Sequence, residues 1–133
     1  LYQEGKIRSI GVSNFLPEHL EVLIANTSIK PMVNQIRLNP QVIPLDNINY
    51  CNEKGILIEA YSPFATGRIF TETRFTKLAE KYNKTVAQLL VRWSYQNGFL
   101  PLPKSVTNER IKENFDIFDF EISEADLKEI GKI

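Results

Sequence analysis

DNINYCNEKGILIEAY, residues 46–61, decides the fold. Its first part, Asp46–Lys54, is a polar run that reads as a helix. Gly55 follows, and glycine suits the left-handed turn that ends a helix. Ile56–Tyr61 is then a short apolar run with β-branched residues, the clearest strand of the chain. Helix passes to strand with no tight hairpin signal, which predicts a parallel sheet with covering helices.

The alternation extends in both directions. Upstream, Leu1–Gly5 reads as the tail of a helix ended by glycine, and Ile7–Val12 as a short strand. Pro17 opens a helix in which Leu20, Leu23 and Ile24 recur at helical spacing; Pro31 closes it before a second strand, Met32–Ile36. Downstream, Arg74–Tyr82 predicts a short helix. Thr85-Val86-Ala87-Gln88 has the form of a capping box, opening a helix whose Val86, Leu89, Leu90 and Trp93 share a face. Gly98 stops that helix and Leu100–Lys104 makes a fourth strand. Asn108–Phe118 is an amphipathic helix, and a last one starts at Ser123 and runs to Ile133. Four βα units predict four parallel strands in chain order with helices on the outer face. Pro101 and Pro103 remove two donors facing the same neighbour, so the fourth strand belongs at an edge or a weak seam.

The chain's 133 residues make one domain, spanning 1–133 without linker or low-complexity tract. With 43% hydrophobic and 24% charged residues it has the composition of a globular chain, not a disordered one. Sixteen Lys and Arg balance sixteen Asp and Glu, so no net field favours nucleic acid or an anionic membrane as partner. Cys51 and His19 are the single residues of their kinds, which rules out an internal disulfide and a Cys-based zinc site. The apolar runs are far shorter than the ~20 residues that span a bilayer. The chain opens with Leu1 and not Met, and nothing in its first residues resembles a secretory signal. The expectation is a soluble, cytoplasmic piece cut from something longer.

Polar residues gather after each strand: Ser13-Asn14, Gln35 with Asn39, Tyr61-Ser62, and Lys104-Ser105-Val106-Thr107. Ligands bind at the carboxyl ends of parallel strands, where loops and helix N-termini converge. Singly, each cluster reads as a cap or a turn; four at equivalent ends predict a site. In the run from Lys104 to Arg110 a strand ends in lysine, a hydroxyl pair leads into a helix, and an arginine lies one turn inside. A helix N-terminus with two full positive charges suits a phosphate monoester, although a capped helix with solvated charges has the same sequence. His19 is expected at or near the surface, and Cys51 is expected to be inert packing. Glu59 is expected to be an interior, hydrogen-bonded carboxylate on the face of Tyr61. Glu121, Glu124 and Asp126 read as ordinary acids at a helix start. There is no nucleophile–base pair, no metal cluster and no Gly-rich phosphate loop.

These segments resemble one family. GKIRSIGVSNF, Gly5–Phe15, is similar to a segment of aldo-keto reductases; Asn34-Gln35 followed by Asn39-Pro40 resembles their NQ…HP segment. Ala60-Tyr61-Ser62-Pro63 resembles AYSPL, and Pro103–Thr107 with Arg110 and Asn114 resembles IPKSVTPERIxEN. Four motifs in the family's order cover nearly the whole chain. The family fold is a (β/α)8 barrel of about 250 residues or more. The resemblance covers its second half, strands five to eight, and implies a chain truncated at both ends.

The resemblance implies roles at the matching positions. Ser13, Asn14 and Gln35 would hydrogen-bond a nicotinamide carboxamide, and Tyr61, with Ser62 beside it, would stack on the ring. Lys104, Ser105, Val106, Thr107 and Arg110 would hold an adenosine 2′-phosphate, with Glu113 and Asn114 on the adenine side. Asn39 stands where the family commonly has His, and Asn108 where it commonly has Pro. The family's catalytic Asp, Tyr, Lys and His lie in the other half, so this chain holds no catalytic residue. The implied function is the cofactor-binding half of an NADPH-dependent reductase of aldehydes or ketones, inactive by itself. Such a half is expected to self-associate or to pair with its missing N-terminal half. An alternative is a cofactor-binding regulatory subunit of the same fold, as found beside potassium channels. An unrelated four-unit α/β phosphate binder does not account for four ordered motifs.

Overall fold

Gly55 takes φ 62° and accepts the left-handed turn that closes the preceding helix, with its N–H on the carbonyl of Asn52. The chain leaves it directly into a strand. In the computed structural model, which describes residues 1–65 and 67–133, this pattern repeats through the chain. The elements are β1 (Gly11–Ser13), α1 (Pro17–Asn26), β2 (Val33–Arg37), α2 (Leu45–Lys54) and β3 (Leu57–Tyr61). They are followed by a 3-10 turn (Arg68–Thr71), α3 (Thr73–Lys81), α4 (Val86–Gln96), β4 (Leu100–Leu102), α5 (Asn108–Phe115) and α6 (Glu124–Ile130).

The sheet has the order β1-β2-β3-β4, every pairing parallel. Successive residues of a strand point to opposite faces. Ile36, Ile58 and Ala60 therefore go under the helices, where they join Leu20, Ile48, Cys51, Ile69, Phe75, Leu89 and Trp93 in one buried core. The other face carries Gln35, Glu59 and Tyr61 together with Leu57 and Leu102, each 42% exposed. The arrangement is half of a (β/α)8 barrel, with its inner face open and its helices outside.

β4 is Leu100–Leu102 and not Leu100–Lys104; it carries Pro101, lies at one edge and pairs only with β3, a position that tolerates the missing donor. Several limits differ from the sequence expectation. β1 is Gly11–Ser13 and not Ile7–Val12, because its pairing begins opposite Val33; before it, Ile10 accepts the N–H of Met32 and Ile7 is exposed. Leu1–Gly5 is a pair of hydrogen-bonded turns, Gly5 to Tyr2 and Lys6 to Leu1, not a helix. α1 stops at Asn26, five residues before Pro31, where Asn26 Nδ2 and Thr27 Oγ donate to the carbonyls of Val22 and Leu23. α5 ends at Phe115, so that Ile117 can turn inward and bury. α6 ends at Ile130.

The capping box is present as read. Thr85 Oγ accepts the N–H of Gln88, and Gln88 Oε1 accepts the N–H of Thr85. Asp126 is more than an ordinary acid at a helix start. It is buried, receives Lys81 Nζ at 2.6 Å and the hydroxyl of Tyr82, and so ties α6 to the end of α3. The Lys81 ammonium, then the Tyr82 hydroxyl, hold its carboxyl below the usual range.

Candidate functional site at the carboxyl ends of the strands

Two polar clusters stand at the carboxyl ends of the strands. The first lies across β1, β2 and β3. Ser13 and Gln35 pair in register, and Ser13 Oγ donates to the carbonyl of Gln35 at 3.1 Å. The same carbonyl accepts the N–H of Asn14 at 2.9 Å. The Tyr61 hydroxyl donates to Asn14 Oδ1 at 3.1 Å across the mouth of the sheet. Gln35 Nε2 donates to Glu59 Oε2 at 2.8 Å, the bonded carboxylate expected of that residue.

Asn14 and Ser62 both adopt left-handed backbone, φ 57° and 56°, a region asparagine enters readily but serine seldom does without support from its surroundings. For Ser62 the holding groups are Asn39, whose Nδ2 reaches the Ser62 carbonyl at 3.0 Å, and the Ser62 hydroxyl itself, on the carbonyl of Ala65. Asn39, at the family's His position, is fully buried and keeps a donor aimed at the turn after β3. Sequence reasoning missed the support behind Asn14. Asn34, buried among the helices, accepts the N–H of Phe15 and donates to its carbonyl, which Asn47 also contacts at 2.9 Å. An asparagine at the strand position that shares the core face with Ile36 was the available signal.

The second cluster surrounds the start of α5. A cleft of about 590 Å³ is lined by Lys104, Ser105, Arg110, Glu113 and Asn114 on one side. Phe64, Phe70, Thr85, Val86 and Ala87 form the other wall, and none of these was singled out as a site residue in the sequence. Asn114 Nδ2 donates to Ser105 Oγ at 2.8 Å. Among the described residues neither Lys104 nor Arg110 enters an ion pair. Thr107 caps α5 through its carbonyl, which takes the N–H of Ile111, and Val106 is 81% exposed; neither lines the cleft. The end of β3 and the residues just after it connect the clusters, since Tyr61 reaches Asn14 while Phe64 walls the cleft.

The remaining candidates fall outside both. His19 is exposed, and its Nδ1 accepts the N–H of Leu16 to cap α1. Cys51 is buried in the core, and burial pushes its thiol pKa up. No group of three metal-ligating side chains exists among the described residues.

A model of the aldo/keto reductase family matches residues 1–133. The chain belongs to the aldo/keto reductase family. Glyoxal reductase of Bacillus subtilis (strain 168) is 48% identical over 133 residues, covering 100% of this chain and 48% of that protein. An aldo-keto reductase from a Medee basin deep-sea metagenome library superposes with TM-score 0.94 at 40% identity, covering 98% of this chain and 50% of that one. A Bombyx mori aldo-keto reductase, solved in complex with NADP, superposes with TM-score 0.87 at 37% identity over 97% of this chain and 45% of its own. The chain thus spans about half the length of these aldo-keto reductases, and its half barrel is the matching half of theirs. No helix among the described residues is long and apolar enough to cross a membrane.

Proposed function

We propose that this chain is the cofactor-binding half of a cytoplasmic, NADPH-dependent reductase of aldehydes or ketones. One observation carries the reading: Lys104 and Arg110 flank a cleft at the start of α5 with no acidic partner among the described residues. Two uncompensated cations beside a helix N-terminus fit the phosphate of a 2′-phosphorylated adenosine. Ser105 and Asn114 add a hydroxyl and an amide, and Glu113 an acceptor, on the same wall. Ser13, Asn14 and Gln35 would take the carboxamide, and the Tyr61 ring would lie against the nicotinamide. When bound, that group supplies a hydride to the carbonyl carbon of the substrate.

The chain's own residues contribute position, not proton transfer. They fix the two ends of the cofactor, one by neutral hydrogen bonds and one by charge. The 133-residue chain alone is accordingly inactive toward aldehydes, and its activity requires the other half. Titrating the complete protein and its Arg110→Met variant with both cofactors tests the reading. A charge-assisted hydrogen bond is worth roughly 1.5–3 kcal/mol, so NADPH binding should weaken about tenfold to a hundredfold while NADH binding hardly changes. Equal losses for the two cofactors, or no loss for either, would remove the 2′-phosphate role.

A further inference from the structure

We infer that Glu59 is a positioning residue that selects the carboxamide end of the cofactor by fixing which way the Gln35 amide faces. The inference rests on the cofactor reading above and assigns a role that the resemblance does not supply. A glutamine amide has a donor end and an acceptor end, and the end facing a ligand decides what is read. An ionised carboxylate only accepts. Glu59 Oε2 lies 2.8 Å from Gln35 Nε2, so the donor end is turned along the sheet toward Glu59. Gln35 Oε1 is left to accept from whatever occupies the first cluster.

The register makes this arrangement rigid. Ser13, Gln35, Glu59 and Leu100 form one row across the inner face. Leu100 offers Glu59 no competing side-chain donor. Among the described residues no cation pairs with Glu59, so its carboxylate is engaged by the Gln35 amide and not by an ion pair that builds the fold. Asn14 differs, because a tyrosine hydroxyl can donate or accept and accommodates either end of an amide. The forced acceptor at Gln35 therefore carries the discrimination: it recognises an N–H group, which a carboxamide has and a methyl ketone lacks.

The test compares NADP with its 3-acetylpyridine analogue, in which a methyl ketone replaces the carboxamide, in the complete protein. Calorimetry on wild type, Glu59→Leu and Glu59→Gln is run with both ligands and with 2′,5′-ADP, which reaches only the second cluster. A lost neutral hydrogen bond corresponds to about a three- to tenfold change in affinity. Wild type should prefer NADP over the analogue by that factor. Glu59→Leu should abolish the preference, Glu59→Gln should restore it through its own carbonyl, and 2′,5′-ADP should bind all three alike. Full preference in Glu59→Leu would overturn the inference. A parallel loss of 2′,5′-ADP binding in that variant would overturn it too, by making Glu59 a scaffold residue. If wild type binds neither NADP nor 2′,5′-ADP, the cofactor reading itself fails.

Discussion

The two faces of β3 differ in almost every respect. Ile58 and Ala60 are 2% and 0% exposed under the helices, as members of the buried core. Leu57, Glu59 and Tyr61, interleaved with them, stand on the open side, where two of the three carry the polar contacts of the site. One face specifies the fold and the other carries the candidate site. Because the alternation is strict, neither set can move without the other: a slip of one residue would put Ile58 into the site and Glu59 into the core.

The strongest challenge to this division is the open face itself. Leu57, Leu100 and Leu102 are exposed on it, and β1 and β4 each have one unpaired edge. Such surfaces drive association. The 133-residue chain should sediment as a dimer or larger species when alone, and as a stoichiometric complex when the other barrel half is supplied. A monodisperse monomer that unfolds cooperatively would show that the open face needs no cover.

Next in size is the contrast between adjacent residues. Ile58→Ala should cost about 2–5 kcal/mol by leaving a cavity in a core that cannot fully collapse. Leu57→Ala, one position away, should change the stability of the 133-residue chain by no more than about 0.5 kcal/mol. Urea unfolding of both variants measures this, and the cost at Leu57 should rise once the rest of the barrel is present. Equal costs in the chain alone would erase the distinction between the faces.

The core face was the legible one. Gly55, the Thr85–Gln88 box and the apolar strands announce themselves locally, because each depends on neighbours within a few residues. Strand limits do not: β1 begins where Val33 can pair with it, and nothing in Ile7–Val12 contains that information. Of the cleft's lining, Lys104, Ser105 and Arg110 could be named from one continuous segment, and Glu113 and Asn114 from the resemblance. The opposite wall could not, since Phe64, Phe70 and Thr85 reach the cleft through folding alone. Asp126 was misread for the same reason: Lys81 and Tyr82 lie 45 and 44 residues away in sequence.

That carboxylate gives the helix side of the molecule a pH signature. Its folded pKa is depressed, so its contribution is present above the ordinary value of 3.8 and is lost as pH falls through the lower folded value. Lys81, raised chiefly by the same hydrogen bond, acts at the other end: its contribution is present below 10.5 and disappears as pH rises past the raised value. Asp126→Asn should flatten both limbs of the stability–pH curve. Unchanged limbs would place the titrating groups elsewhere.

The smallest expected effect is at a residue with a foot on each side. Thr85 lines the cleft, yet its hydroxyl is already used, accepting the N–H of Gln88 at the start of α4. If fold and function are separated as argued, Thr85→Ala should destabilise the protein by about 1 kcal/mol, the usual cost of removing a threonine N-cap. It should leave the ratio of NADPH to NADH affinity unchanged, because the charges proposed to face the phosphate belong to Lys104 and Arg110 and not to α4. Thr85→Ser keeps an acceptor and should recover most of the stability. Chemical unfolding and cofactor titration on the same samples decide the matter. A change in the cofactor ratio would mean that α4's first turn shapes the phosphate seat, so that part of the site is built by the core and not by the strand ends.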